Sequence, residues 1–415
     1  MIDLKFLREN AEKVTAGAAS KNITIDVSKI LELDEKFRNL NVEVQNLRAE
    51  RNKAAQERNI DRGREIKQQL DGLETELTNL ETQLNDLTSQ IPALPKDDVK
   101  VGKNDTENDV IKTIGEINQF SFKPLDHVEL GTKLDIIDIE RAAKVSGARY
   151  YYLKNEGALL EFALIRFALE KLTEKGFAPI VPPTMVTRET MKALGYMENG
   201  GEEDMFSLSS DDKFLVGTAE QSVVPMHKNE TFNANELPKR YVAFSSSFRR
   251  EAGSYGKDTR GILRVHEFHK VEMVSFVVDG QDDNEHEFLR EIEEEFFSDL
   301  KIPYQVIKMC TGDLGFPAVR KYDIEAWIPT QEKYREVTST STTGDFQARR
   351  LNIKYKEDLP TGGEKKYVNI LNGTAFAIGR TLIAILENYQ QEDGSVLIPP
   401  VLQKYTGFDK ISPKS

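Results

Sequence analysis

YVAFSSSFRREAGSYGKDTRGILRVHEFHKVEM, residues 241 to 273, reads as a strand, a glycine-bearing basic loop and a returning strand. Two strand-like runs separated only by a loop pair antiparallel, because a parallel pair needs a long crossover. The stretch also concentrates charge. Arg249, Arg250 and Glu251 end the first run, Lys257 and Arg260 sit in the loop, and Arg264 opens the second run beside Glu267, Lys270 and Glu272. A guanidinium fork at a strand end fits phosphate oxygens bidentately. A surface hairpin laced with ion pairs fits the same residues, and on this stretch alone both readings stand.

Toward the C-terminus, YREVTSTSTTGDFQARR (334 to 350) puts Glu336 beside a run of Ser and Thr hydroxyls. These are hard oxygen ligands suited to magnesium on a polyphosphate, although threonine also favours edge strands for steric reasons. ILNGTAFAIGRTLIAILENYQ (370 to 390) is a glycine-containing turn leading into an apolar-periodic helix with Arg380 on its first turns. Neither Gly-x-x-x-x-Gly-Lys-Ser/Thr nor Gly-x-Gly-x-x-Gly after a strand occurs, so a nucleotide would be held differently. His266 and His269, three apart on a strand, face opposite ways and cannot share a metal. Cys310 reads as a small buried apolar residue. From about Phe120 onward, helical patterns such as Ala158 to Glu174 alternate with β-rich runs, a mixed body of helices and strands.

The N-terminal quarter is different. Ile30, Leu33, Phe37, Leu40, Val44 and Leu47, then Arg51 and Ala54, alternate spacings of three and four, as do Ile66, Leu70, Leu73, Leu77, Leu80, Leu84, Leu87 and Ile91. Asn59 to Gly63 between them suits a tight reversal, which predicts an antiparallel helical hairpin about 45 Å long at ~1.5 Å per residue. From Arg48 to Lys67 there are seven basic and four acidic residues, whereas Gln68 to Ile91 has five acids and no base. The tip is therefore the basic end. Phosphate contact would use such a tip, and a solvated or self-associating coiled coil would show similar charge. Pro92 and Pro95 close the second helix.

The chain has 415 residues, 39% hydrophobic and 30% charged, with no apolar run long enough to span a bilayer, so no membrane partner is expected. The start lacks the features of a secretory signal, which predicts a cytoplasmic protein. One cysteine excludes an internal disulfide and a cysteine-rich zinc site. A formal charge of -13 opposes non-specific nucleic-acid binding, so any nucleic-acid partner must meet a locally basic surface; no DNA partner is expected.

The body resembles a class II aminoacyl-tRNA synthetase, and the whole chain resembles the bacterial-type seryl-tRNA synthetase family. KGFAPIVPPTMV (175 to 186) matches the first class II motif, with Pro182 at the dimer-interface proline. FRREAGSYGKDTRGILRVHEFHKVEM (248 to 273) matches the second and NGTAFAIGRTLIAILENYQ (372 to 390) the third. Thr218-Ala219-Glu220 and the run Glu336-Val337-Thr338-Ser339 are more specific still.

The resemblance implies an α+β fold, an antiparallel sheet flanked by helices with an N-terminal coiled-coil arm. It places a tRNA-binding domain at 1–98 (arm about 27–91), a linker at 99–115 and a catalytic domain at 116–415. It implies serine activation with ATP and Mg2+, transfer to tRNA(Ser) and also tRNA(Sec), and a homodimer. Arg249 would clamp the α-phosphate and the serine carboxylate, and Glu272 and Arg380 would share the catalytic centre with it. Arg250, Glu251, Val265, Phe268, Val337, Thr338 and Arg380 would contact ATP, with Phe268 and Arg380 on either side of adenine. Glu336 and Ser339 would hold magnesium. Thr218, Ala219, Glu220, Arg249, Glu272 and Thr374 would bind serine. Threonine stands at 374 where many members carry serine, and Arg250 departs from their Arg-Ser-Glu. Arg48, Arg51, Lys53, Arg58, Arg62 and Arg64 are the candidates for tRNA contact, Arg51 lying on the helical seam. A paralogue loading another acceptor would lack the basic-tipped arm, and a non-catalytic scaffold would have lost Arg249, Glu251, Phe268, Glu336 and Arg380.

Overall fold

The computed structural model describes residues 2–252, 260–357 and 363–414. Lys257 lies outside them. The described chain forms two compact units, Met1–Leu94 and Pro95–Ser415.

In the first unit two thirty-residue helices, Val27–Gln56 and Ile60–Ser89, run back to back. Their seams meet as expected from the three-four spacing: Val44, Ile66 and Leu70 are buried together with Leu47, Leu73 and Leu77 around them. Ile30 and Leu84 join Leu7, Val14 and Ile91 at the base. The reversal is shorter than the sequence indicates. Arg58 takes the left-handed conformation, φ 57°. The Arg58 and Asn59 amides donate to the Ala55 and Ala54 carbonyls at 3.2 and 2.9 Å, a Schellman closure of the first helix. Asn59 is already the N-cap of the next, its side chain accepting from the Arg62 amide, so Gly63 lies inside a helix rather than in the turn.

The second unit is built on an eight-stranded sheet. Its strands are β1 (Asp109–Ile114), β2 (Ala178–Ile180), β3 (Lys239–Phe248), β4 (Glu267–Val277), β5 (Tyr304–Lys308), β6 (Arg320–Ile328), β7 (Lys333–Thr342) and β8 (Asn369–Ala377), in the spatial order β1-β5-β6-β7-β8-β4-β3-β2. All pairings are antiparallel except that of edge strand β2 with β3. The decisive hairpin is β3 with β4, Ala243 opposite Glu272 and Phe248 opposite Glu267. The second strand starts at Glu267, so Arg264 precedes it.

Period-two alternation sorts this sheet into two cores. Val271, Met273 and Val277 face one side, packed with Leu289, Ile292 and Phe296 of the helix Asp282–Asp299 and with the helix Asn155–Glu174. Val274 and Phe276 face the other with Ala219, Val223 and Ala348. On β4, Lys270 and Glu272 share that second side.

One part of the expected linker is structure. Residues 109–114 form β1, paired with β5 from Asp109 opposite Lys308 to Ile114 opposite Tyr304. The strand sits at the sheet edge and four of its six residues are exposed, so it carries no inward-outward alternation to read.

Candidate active site

Because β4 is regular along its first half, Phe268, Lys270 and Glu272 share one face of the sheet. His269 points the other way and pairs through Nδ1 with Glu161. Arg249 stands just past the end of β3. Its amide donates to the His266 carbonyl at 3.0 Å, its Nε to the Gly217 carbonyl at 3.3 Å, and its guanidinium lies 5.3 Å from the Phe268 ring centre. That guanidinium faces two adjoining cavities. The first is lined by Phe268, Arg264, Glu336, Thr374 and Arg380, and the second by Tyr196, Thr218, Glu220, Glu272 and Asn372. Arg249, Lys270, Lys321 and Ser339 line both.

Glu336 and Ser339 are three apart and in a regular strand would face opposite sides. The β6–β7 register breaks between them: Ile324 pairs with Thr338 and Glu325 with Glu336, which leaves Val337 as a bulge residue. The bulge puts Glu336 and Ser339 on the same cavity wall, and the Thr338 hydroxyl turns to the far side, donating to Glu293 Oε2 at 2.8 Å, so Thr338 meets the cavity through its other atoms. Arg380 holds Glu336 at both ends, its Nη1 being 3.1 Å from Oε1 and donating to the Glu336 carbonyl at 3.1 Å. Burial raises the Glu336 pKa, but Arg380, Lys321 and Arg249 outweigh it and hold the carboxyl below the usual carboxylate range. Among the described residues no three His, Cys, Asp or Glu converge on a metal position. Two hard oxygens, one of them a carboxylate kept ionised, fit a magnesium ion that takes its remaining ligands from phosphate and water.

The two carboxylates of the second cavity are satisfied differently. Glu272 Oε2 meets the Lys270 ammonium at 2.5 Å and accepts from Thr374 Oγ1 at 3.1 Å. Glu220 accepts from two neutral donors, Tyr196 Oη on Oε2 and Gln347 Nε2 on Oε1, both at 2.8 Å. Burial pushes the Glu220 pKa up, and Glu272 adds to the rise. Burial lowers that of Lys270. The ensemble is a polar pocket that mixes both charges, next to a slot with an aromatic ring, an arginine and hard oxygens.

Models of two families match the chain: the seryl-tRNA synthetase N-terminal domain over residues 1–95, and the class II tRNA synthetase core domain for Gly, His, Pro, Ser and Thr enzymes over 206–389. The serine–tRNA ligase of Dictyoglomus turgidum is 43% identical over the full length of both chains, and that of Treponema denticola is 42% identical over 99% of this chain and 100% of its own. Among solved structures, the seryl-tRNA synthetase of Pyrococcus horikoshii complexed with ATP superposes with a TM-score of 0.93 at 40% identity, covering both chains entirely. The chain belongs to the seryl-tRNA synthetase family. A second seryl-tRNA synthetase, the cytoplasmic enzyme of Naegleria fowleri in complex with AMP, has a TM-score of 0.89 at 30% identity over 100% of this chain and 99% of that one.

Within this seryl-tRNA synthetase scaffold most of the expected residues converge. Arg249, Glu251, Val265, Phe268, Glu336, Val337, Thr338, Ser339, Thr374 and Arg380 line the first cavity, and Thr218, Glu220 and Glu272 the second. Glu251 pairs with Arg264 Nη1. Two do not converge. Arg250 is exposed, its amide donating to the Asp204 carbonyl and its guanidinium 5.7 Å from the Phe206 ring centre, and it lines neither cavity. Ala219 is fully buried in the core beneath the second cavity, so its side chain cannot meet a substrate. On the arm, Arg48 is 2.9 Å from Glu74 and Arg62 is bound to Glu50 and Glu65, whereas Arg51, Lys53, Arg58 and Arg64 are exposed. Arg51 therefore occupies its seam position without being buried. Sequence reasoning missed Tyr196 and Lys321 as cavity groups, and Gln347 as the buried donor behind Glu220. Lys270 was legible, since it lies two residues from both Phe268 and Glu272.

Proposed function

We infer that this chain attaches L-serine to tRNA(Ser) in two ATP-dependent steps, releasing pyrophosphate and AMP. The observation that carries the reading is the placement of Arg249, a guanidinium at the end of β3 shared by both cavities. The first cavity takes ATP, with adenine between Phe268 and Arg380, the Glu251 carboxylate near its amino group and the Val265 backbone alongside. The second takes serine, held by Thr218, Glu220 and Glu272, with Thr374 reaching it from the wall of the first cavity through its hydrogen bond to Glu272. A serine carboxylate oxygen attacks the α-phosphorus, the bond to the bridging oxygen breaks, and pyrophosphate leaves with that electron pair. Arg249 balances the charge gathering on the α-phosphate. Glu336 and Ser339, with Val337 and Thr338 between them, would hold the magnesium ion, which neutralises polyphosphate charge when bound. The terminal adenosine hydroxyl of tRNA then takes the seryl group and AMP is released.

The arm binds the tRNA backbone through its basic tip, and the same reading extends to tRNA(Sec). The active form is a cytoplasmic homodimer. Supporting it, Phe162 and Leu159 on the helix Asn155–Glu174 and Val181 just after edge strand β2 are large apolar side chains 65%, 52% and 88% exposed. Among the described residues no helix is long and apolar enough to cross a membrane. The test is exchange of labelled pyrophosphate into ATP with serine, threonine, alanine and cysteine compared before any tRNA is added. Exchange with serine alone is expected. No exchange with any of the four would overturn the reading.

A further inference from the structure

Glu220 stands on the short helix Glu220–Val223, 3% exposed, with its carboxylate on the wall of the second cavity. Its two hydrogen-bond partners come from segments far apart in sequence and outside all three class II motifs. Tyr196 follows the helix Arg188–Leu194, its amide tied to the Met191 carbonyl at 3.3 Å, and Gln347 lies on the helix Phe346–Leu351 with no exposed surface. The Gln347 amide is itself oriented, since Thr343 Oγ1 lies 3.5 Å from its Oε1 while Nε2 donates to Glu220. Each donor takes one carboxylate oxygen. A carboxylate offers about four lone pairs, so two remain for the cavity.

We propose that Tyr196 and Gln347 are positioning residues that fix the Glu220 carboxylate in one orientation toward the serine cavity and so set the enzyme's serine affinity. The proposal rests on the reading of Glu220 as a serine contact. Its physical content is the neutrality of the two donors. Glu272 already has an ammonium partner in Lys270, whereas the hydroxyl and amide satisfy Glu220 geometrically without cancelling its charge. A buried carboxylate left with its charge attracts a cationic substrate group, and without its donors it would take up a proton instead. The charged or titratable groups facing the cavity with Glu220 are Tyr196, Glu272 and Lys270 from β4, Arg249 from the end of β3, Lys321 from β6 and Asp204 from the segment Gly201–Asp204. Burial and Glu272 raise its pKa, and the two donors oppose that rise.

The test is serine-dependent pyrophosphate exchange on the full chain carrying Tyr196→Phe or Gln347→Met, with Glu220→Gln as reference. Loss of one hydrogen bond to a charged group should raise KM for serine about tenfold. KM for ATP should not change, and the acid limb of kcat/KM for serine should move to higher pH, because a Glu220 with one donor fewer holds its proton longer. Two variants from different segments keep the test valid if one fails to fold. If Glu220→Gln leaves KM for serine unchanged, the reading of Glu220 falls and the proposal with it. If Glu220→Gln raises KM for serine while both donor variants keep the native KM and pH profile, the positioning role alone is overturned. It is equally overturned if the donor variants weaken ATP and serine alike with an unmoved acid limb.

Discussion

At the wall between the two cavities, the backbone of Arg249 is fixed by the end of β3 and its side chain is tethered by one bond, Nε to the Gly217 carbonyl. The guanidinium tip is thus left for substrate, and removing it should cost chemistry without costing the fold. Arg249→Ala should reduce serine-dependent pyrophosphate exchange by about a thousandfold, the upper range for deleting one preorganised charge-stabilising group. Thermal melting should be unchanged within error, and a variant that exchanged normally would remove Arg249 from the α-phosphate. Ser339 supports a milder prediction. With Glu336 retained, Ser339→Ala should raise the magnesium concentration for half-maximal exchange about tenfold, a size typical for losing one supporting group at a metal site. An unchanged magnesium titration would dissociate Ser339 from the metal. The Glu336–Ser339 pair was visible as residue types but not as geometry. Residues three apart on a strand share a face only because Val337 bulges, and no periodicity in the sequence records a bulge. Tyr196 and Gln347 were illegible for another reason: their role depends on side chains that meet across long stretches of chain, Gln347 reaching Glu220 over more than a hundred positions.

At the scale of elements, the first unit holds a titratable group where none is expected. Lys21 ends the helix Ala11–Ser20, is 5% exposed, and donates from Nζ to the Ala93 carbonyl at 3.1 Å. Burial lowers its pKa from 10.5 to about 7. Between those values the unfolded chain binds a proton that the folded unit does not, so stability rises with pH across this window, by up to about 1.4 kcal/mol per pH unit. Hydrogen exchange of the Ala11–Ser20 amides in the full chain, corrected for the intrinsic pH effect, should show protection growing from near neutral to pH about 10. Lys21→Met should abolish the slope, and a flat native profile would refute the assignment. The elements most legible in the sequence were those with strong periodicity. Three-four spacing over about twenty-five residues marks each arm helix, and two β-rich runs flanking a glycine-bearing basic loop mark β3 and β4. The arm's turn was misplaced because Asn, Asp and Gly suit a reversal and a helix N-terminus equally, and here Asn59 caps a helix. Strand β1 was assigned to a linker because an exposed edge strand has no buried face to pattern it.

For the whole molecule, the open question is how a chain with a formal charge of -13 binds a polyanion. Long-range attraction cannot do it, so binding must come from cations whose charge is not already spent on neighbouring acids. The arm separates its six candidates on this criterion. Arg48 and Arg62 are engaged with Glu74, Glu50 and Glu65, while Arg51, Lys53, Arg58 and Arg64 are exposed around the reversal at Glu57–Asn59. Replacing these four with glutamine should leave serine-dependent pyrophosphate exchange intact, since none lines either cavity. Aminoacylation should show a raised KM for tRNA(Ser). The slope of log affinity against log salt should become shallower by roughly 0.7 to 0.9 for each phosphate that the variant no longer neutralises. Replacing Arg48 and Arg62 instead should change that slope little and loosen the hairpin, read as faster amide exchange in both arm helices. If the paired arginines carried the salt dependence and the exposed four did not, tRNA would have to break the intra-arm ion pairs on binding, and the tip would not be where the RNA backbone sits.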